Sequence, residues 1–309
     1  MKVLVLGAGV IGTAAAYYLN RAGHEVTVVE RNDGAGLETS FANGGIVGAF
    51  SSRPWATPEV PRMLLKWFGR QDAPYLFRLR PDLAQWRWAF KFLRQCTAER
   101  FERSQQVSLR LSTYSYECLK EVREREQIEY DQCADGVLHL FASQQELDSA
   151  AAAELGHADS RFHPEVIDIR RCLEIEPALA ESAGRYAGAL HFSQDESGDA
   201  YKFTHALAAA ARRQGVIFRY GVALRRLRSE GGRIIAVDTD QGRFEADSYV
   251  MSLGSFSPLF LRKIGMRVPI YPLKGYSVTV PTAGYHGAPR LAIHEGSRRI
   301  VMSRIGERL

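Results

Sequence analysis

Residues 2–6, KVLVL, form a nearly continuous apolar run, the pattern of a parallel strand buried on both faces. A glycine-rich turn follows, then TAAAYYLNRAG with helical character, then EVTVV at 25–29 as a second apolar strand. Farther along, LAQWRWAFKFL and SLRLSTYSYECLKEVRERE place apolar residues at helical spacing within 83–133, with charges elsewhere. The aromatics Trp86, Trp88, Phe90 and Phe92 are read as core or cap, because aromatic side chains usually serve burial. GVLHLFAS (136–143) predicts a strand and the Ala-rich run over 145–155 a helix. Residues 213–260 alternate with period two around GG and QG turns and predict a succession of strands with hairpin structure, ending in a buried run at Gly254. Over 268–280, VPIYPLKGYSVTV reads as an alternating strand interrupted by Pro272 and Gly275, which marks a sheet edge or a close backbone approach.

The 309 residues are 46% hydrophobic and 24% charged, a soluble globular composition with room for one large domain or two interleaved ones. The net charge of +5 is mild. The arginine pairs at 170–171, 212–213 and 225–226 read as solvated faces, with contact to an acidic membrane surface as the alternative. No aromatic-rich basic stripe points to a nucleic acid. Cys96, Cys118, Cys133 and Cys172 lie far apart without a CxxC pair, which fits a reduced, cytosolic protein and argues against zinc or another metal. The apolar start lacks a basic leader and no run reaches about 18 uncharged apolar residues, so neither a signal peptide nor a membrane span is expected.

Gly7, Ala8, Gly9, Val10, Ile11 and Gly12 spell GxGxxG between the first strand and the helix. Gly7 permits the tight turn, Gly9 lets the backbone approach a pyrophosphate, and Gly12 allows close helix–strand packing. The second strand ends in Glu30, where a carboxylate would grip a ribose diol. Glu30 disfavours NADP, with the neighbouring Arg31 as a counterweight. A dinucleotide site follows. The loop holding Ser40, Asn43, Gly44 and Gly45 offers backbone N–H groups and short polar side chains suited to the flavin end of a longer cofactor, and on its own fits a plain surface loop equally well.

The segments VLVLGAGVIGTAAAYYL, ETSFANGG, PWATPEVP, RCLEIEPALA, SGDAYKFTHALAAAA, ADSYVMSLGSFSP and VPIYPLKGYSVTVP occur in order along nearly the whole chain. In them the sequence resembles the D-amino-acid dehydrogenase small subunits of the FAD-dependent D-amino-acid oxidase superfamily. The resemblance implies an α/β chain: an FAD-binding Rossmann-like domain of glutathione-reductase type, interleaved with an α+β substrate domain on a mixed or antiparallel sheet. The expected boundaries are 1–60 and 190–262 for FAD, 61–189 and 263–309 for substrate. It implies that Leu224 clasps adenine through backbone atoms, and that the strand reaching Ser252 and Gly254 returns under the adenine toward the pyrophosphate. It assigns the 39–45 loop to FAD.

On the substrate side, the resemblance brings VPIYPLKGYSVTV to the cavity and the flavin, with Lys274 as a positive charge for reduced flavin and Tyr271 and Tyr276 as pocket walls; an exposed lysine on a substrate-domain strand is the equal alternative. His139 and His191 read as lone structural histidines. The implied reaction is oxidative deamination of a D-amino acid such as D-alanine, with electrons passed to a quinone-type respiratory acceptor. A cytoplasmic protein, peripheral on the inner membrane at most, is the matching location. The resemblance also implies a further C-terminal segment carrying the carboxylate-binding arginine, so the sequence reads as a truncated member with Arg304 as the substitute and an unpaired final strand ending in GERL. A glycine- or sarcosine-type oxidase using oxygen, and a flavoprotein without activity, are the alternatives.

Overall fold

The computed structural model describes residues 1–49, 53–67, 80–155, 163–285, 287–298 and 300–309. Phe50, Ser51 and Ser52 of the Pro-rich loop lie outside them. The chain opens with β1 (Lys2–Leu6), α1 (Val10–Arg21), β2 (Glu25–Val29) and β3 (Ile46–Val47). Next come α2 (Val60–Trp67), α3 (Leu83–Leu93), α4 (Ala98–Glu126), β4 (Val137–Phe141) and α5 (Gln144–Leu155). Then follow β5 (Glu165–Asp168), α6 (Ile169–Ile175), β6 (Gly188–Phe192), β7 (Glu196–Ser197) and α7 (Ala200–Arg213). The last part holds β8 (Ile217–Arg219), β9 (Leu224–Glu230), β10 (Arg233–Thr239), β11 (Gly242–Phe244), β12 (Ser248–Met251), α8 (Ser257–Leu261), β13 (Ala292–Glu295) and β14 (Ile300–Met302). Among the described residues, no helix is long and apolar enough to cross a membrane.

The chain divides into two compact units. The first comprises residues 1–43, 122–130 and 200–276. Its four-stranded sheet has the order β12-β1-β2-β8, every pair parallel. Val3, Leu4, Val5 and Leu6 are all buried, as the unbroken apolar run predicts for a central strand covered on both faces. On one side Leu4, Leu6 and Val29 join Val222, Leu227, Val237 and Leu261 in a single apolar cluster. The strands β9, β10 and β11 form an antiparallel meander turning at the predicted glycines.

The second unit comprises residues 44–121, 131–199 and 277–309. Its five-stranded sheet, β14-β13-β4-β6-β5, is mixed: β13 runs parallel to β4 and the other pairs are antiparallel. Leu138, Leu140, Ile167, Cys172, Leu179, Ala189, Leu291 and Ile293 make its main core. The unit boundaries differ from the sequence reading. Residues 44–60 and 190–199 go to the second unit because Ile46–Val47 pair with Glu196–Ser197. Residues 122–130 go to the first because Tyr17 donates to Glu126 at 2.7 Å and Tyr130 packs edge-on against Phe203. Residues 263–276 go there with Ile264 and Val268, which pack on the Leu4–Leu261 cluster.

Three further expectations are corrected. Residues 268–280 form no strand; Pro269 and Pro272 lack the N–H groups a ladder needs, and Leu273, Tyr276 and Val278 are exposed. The GERL end is not unpaired, since Val280 and Leu309 exchange backbone hydrogen bonds at 2.9 Å and Thr282 donates to Glu307 at 2.8 Å. The α3 aromatics are not all core or cap, for Trp86 and Phe90 lie on its exposed face.

His139 and His191 are not alone. The His139 ring on β4 meets His294 on β13 at 4.6 Å, and the His191 ring lies 3.8 Å from the Glu165 carboxylate. Burial, with His294 beside it, pushes His139 down to about 3. The folded chain therefore keeps this imidazole neutral where the unfolded chain, titrating near 6.5, takes a proton. Unfolding binds protons between those values, so stability falls as pH drops from about 6.5 toward 3. Compared with His139→Gln, the natural protein should lose up to about 2 kcal/mol more between pH 7 and pH 5. Urea midpoints across that range measure it; equal acid slopes would remove His139 from the account.

Candidate functional site

The site in the first unit begins where β1 ends. Gly7 has φ +100°, a left-handed conformation that glycine adopts without cost, and its N–H donates to the Val29 carbonyl at 2.8 Å. A Cβ there would approach the Ser252 carbonyl oxygen to 2.8 Å. Gly9 opens α1 and brings no capping side chain of its own. The Val10 N–H at the helix start donates instead to Ser40 Oγ at 3.2 Å. Around Gly9 the nearest atom to a built Cβ is that same Ser40 Oγ, at 3.8 Å. Gly12 is the opposite case, with a built Cβ 1.9 Å from the Gly7 carbonyl oxygen and 2.6 Å from Ser252 Oγ. The result is an α-helix N-terminus with an open approach at Gly9, Ile11 exposed beside it, and no acidic residue in the first turn. That arrangement suits an anion.

Glu30 follows β2 and is buried. One carboxylate oxygen accepts the Ala8 N–H at 2.8 Å and the other the Asn32 N–H at 2.9 Å. Each oxygen retains a further lone pair, so the group can still accept from a diol. Arg31 is engaged: it pairs with Glu38 and lies 4.3 Å over the Phe256 ring. The Arg31 hydrogen bond holds the Glu38 carboxyl below the usual range. Asn43 donates through its amide to the carbonyls of Thr39 and Ser40 at 3.2 and 3.3 Å, closing the loop on itself.

The structure brings Gly7, Ala8, Gly9, Val10, Glu30, Ser40 and Ser252 together, with Ile11 and Gly12 in the same helical turn. Ser252 Oγ donates to Leu6 and Gly7 carbonyls at 2.8 and 3.1 Å. Leu224 heads β9 opposite Thr239, half-buried against the core. Gly254 starts a 3-10 turn, Gly254–Phe256. Gly44 and Gly45 belong to the second unit. There the Gly44 carbonyl accepts Ser303 Oγ at 2.5 Å, and Gly45, at φ +64°, accepts the Gly198 N–H at 2.7 Å. Lys274 and Tyr276 stand on the exposed irregular segment, the ammonium 5.0 Å over the ring, while Tyr271 is half-buried. Two contributors escaped the sequence reading. Thr13 Oγ1 donates to the Ala8 carbonyl at 3.3 Å, and the Asn32 N–H holds Glu30. Their place one and two residues beyond Gly12 and Glu30 was the available signal.

The second unit carries a cavity of about 530 Å³ lined by Asp131, Gln132, Cys133, Ala134, Asp135, Arg290, Arg304 and Gly306. Arg290 pairs with Asp135 at 3.1 Å, and Arg304 Nε donates to the Gly306 carbonyl at 3.4 Å. Burial pushes the Cys133 thiol up, away from the reactive thiolate.

A parallel sheet with a glycine cradle on its first strand and a buried carboxylate after its second defines a dinucleotide-binding protein. The family of FAD-dependent oxidoreductases called DAO matches residues 2–309. D-amino acid dehydrogenase of Paramagnetospirillum magneticum is 47% identical, over all of this chain and 74% of that protein. D-amino acid dehydrogenase of Dechloromonas aromatica is 44% identical over all of this chain and 75% of its own length. Among solved structures, glycine oxidase from Bacillus cereus superposes with a TM-score of 0.67 at 19% identity, covering 99% of this chain and 70% of that one. The chain belongs to the DAO family of FAD-dependent oxidoreductases.

Gly12→Ala tests the cradle. The added methyl group cannot fit against the Gly7 carbonyl, so α1 must shift. The purified variant should lose its visible flavin absorption and melt lower by several kcal/mol equivalent, of order 3. Flavin retained at the natural stoichiometry would show that the close approach is not needed for binding.

Proposed function

We propose that the protein catalyses the FAD-dependent oxidative deamination of D-amino acids, passing the electrons to a quinone-type acceptor. The observation that carries this reading is the identity of 47% to a D-amino acid dehydrogenase along the full chain. The first unit's fit to FAD supports it: an open helix N-terminus for the pyrophosphate and Glu30 for the ribose. In this reading Val10, Ile11 and the glycine turn hold the phosphates, Arg31 and Leu224 border the adenosine end, and the 40–45 loop serves the flavin end. When bound, FAD supplies a two-electron acceptor for the substrate's α-hydrogen.

The remaining chemistry is positioning. The substrate loses its α-hydrogen as hydride and an N–H proton, becoming an imino acid. Water then adds to the C=N bond and ammonia leaves, giving the 2-oxo acid. A carboxylate substrate calls for a guanidinium fork, and Arg304 in the wall of the second unit's cavity is the candidate. Lys274 is the candidate cation for negative charge developing on reduction, with Tyr271 and Tyr276 beside it in sequence.

Anaerobic addition of D-alanine to the purified holoprotein should bleach the flavin bands, and a soluble quinone should restore them faster than air does. Rapid recovery in air with stoichiometric peroxide would make the protein an oxidase; no bleaching by any D-amino acid would end the reading. Lys274→Ala separates the substrate side from the fold. The exposed side chain contributes within about 0.5 kcal/mol of stability, so an unchanged melting point with turnover lower by about tenfold or more would support its role. Unchanged turnover would leave Lys274 a surface residue.

A further inference from the structure

Met302 ends β14, and the chain then enters a tight turn. Ile305 and Arg308 exchange backbone hydrogen bonds at 2.8 and 3.3 Å, with Gly306 between them at φ +61°. The backbone pairs Val280–Leu309 and Thr282–Glu307 hold this turn in place. Three of its side chains reach Gly44, Gly45 and the segment that supports them. Ser303 Oγ donates to the Gly44 carbonyl at 2.5 Å. The Ile305 side chain lies against Gly45, where a Cβ would come within 2.9 Å of its Cδ1. The Arg308 guanidinium pairs with the buried Asp199 carboxylate. Asp199 adjoins Gly198, whose N–H donates to the Gly45 carbonyl at 2.7 Å. All of these residues belong to the second unit.

Glycine loses more conformational freedom on ordering than any other residue, and here two stand in a row, with Gly45 at φ +64°. Such a loop takes one conformation only when outside partners impose it. Ser303 fixes one carbonyl, Gly198 fixes the next, and Ile305 fills the space beside the second glycine. The ion pair secures Gly198 in turn, because a buried carboxylate deprived of its cation is strongly unfavourable. A loop ordered before its ligand arrives spares the ligand that ordering cost.

We propose that Ser303, Ile305 and Arg308 clasp the loop at Gly44 and Gly45 in the conformation that receives the flavin end of FAD. They are positioning residues for the ring of the cofactor and not for its adenosine end. This rests on the reading that the 40–45 loop serves the flavin end, and is independent of which substrate the protein oxidises.

Dilution of the purified holoprotein, followed by the fluorescence of released FAD, gives the FAD dissociation constant. ADP added as a competitor gives the constant for the adenosine and pyrophosphate portion alone. Ser303→Ala should raise the FAD constant about threefold to tenfold, on the scale of one hydrogen bond. Arg308→Gln should raise it about tenfold or more, since it strands a buried charge. Arg308→Lys keeps the charge and should recover most of that loss. The ADP constant should stay unchanged in all three. Circular dichroism melts establish folding, and Ser303→Ala, which strands no charge, decides the matter where Arg308→Gln is unfolded. FAD and ADP constants that rise together overturn the proposal, because the turn would then support the fold as a whole. Gly45→Ala, which forces the loop itself to move, separates the two failures. If it weakens FAD while the Ser303 and Arg308 variants bind like the parent, the clasp is overturned and the loop keeps its role. If Gly45→Ala also holds FAD like the parent, the loop reading falls and the clasp with it.

Discussion

A Cβ on residue 12 would sit 1.9 Å from the Gly7 carbonyl oxygen, so helix α1 can lie against the end of β1 only because that Cβ is absent. The contact is backbone on backbone, and no side-chain rearrangement can relieve it. It fixes where the first turn of α1 starts, and therefore where its amides point. Ser252 locks the arrangement from the other side. Its hydroxyl donates to the carbonyls of Leu6 and Gly7, tying the residue after β12 to the same turn. At Gly7 and Gly12 the GxGxxG pattern is thus a packing requirement between a strand and a helix before it is a phosphate requirement, whereas Gly9 leaves an open approach. The parallel sheet exists in a form that can serve a dinucleotide because β1, flanked by β2 and β12, ends in this turn.

That requirement explains why the first unit was legible in the sequence. A strand buried on both faces must be apolar throughout, and a backbone contact at van der Waals limits must be glycine; both demands are written in residue identity. The hairpins between β9, β10 and β11 were legible for a similar reason, since Gly231, Gly232 and Gly242 occupy left-handed turn positions. The second unit's sheet was less so. Its inner strand β13 is the four residues AIHE between turns, too short for periodicity to reveal. The longer alternating run at 268–280 looked more like a strand and is none, because alternation does not guarantee a partner. The unit boundaries turned on β3 and β7, two residues each, whose pairing carries neighbouring segments with it. Pairing of His139 with His294 was equally hidden, since adjacency of two strands distant in sequence has no local mark.

The candidate site shows the same division. Gly7, Gly9, Gly12 and Glu30 lie around one turn because a β-α-β unit has little geometric freedom. How Glu30 is used could not be read from spacing. Its two oxygens already hold the loop on either side of it, through Ala8 and Asn32. A ribose would be received by a carboxylate whose position is set before the ligand arrives, which lowers the ordering cost of binding. Arg31 has a neighbour in Glu38 that sequence proximity hinted at and a ring in Phe256 that it did not. With its charge so engaged, Arg31 is a poor lure for an additional phosphate.

Glu30 is one of several buried carboxylates used as loop anchors. In the second unit, Glu176 accepts the N–H groups of Arg290 and Leu291 through one oxygen, at 2.6 and 2.8 Å, and that of Ala178 through the other at 3.2 Å. Glu295 accepts the Arg298 N–H at 3.1 Å and the Ser297 hydroxyl. Glu196 accepts the Tyr116 hydroxyl at 2.7 Å. Hydrogen bonds to a charged acceptor contribute about 1.5–3 kcal/mol each, and a carboxylate left without them in an apolar interior costs several kcal/mol. The asymmetry is what makes such groups specify structure: the charge enforces the presence of its donors and excludes loop conformations that fail to bring them. Glu176 thereby fixes the entry to β13, the strand whose sequence is too short to specify itself. Apolar periodicity builds the longer strands and helices of this chain, and buried acids hold the short, irregular connections that periodicity cannot reach.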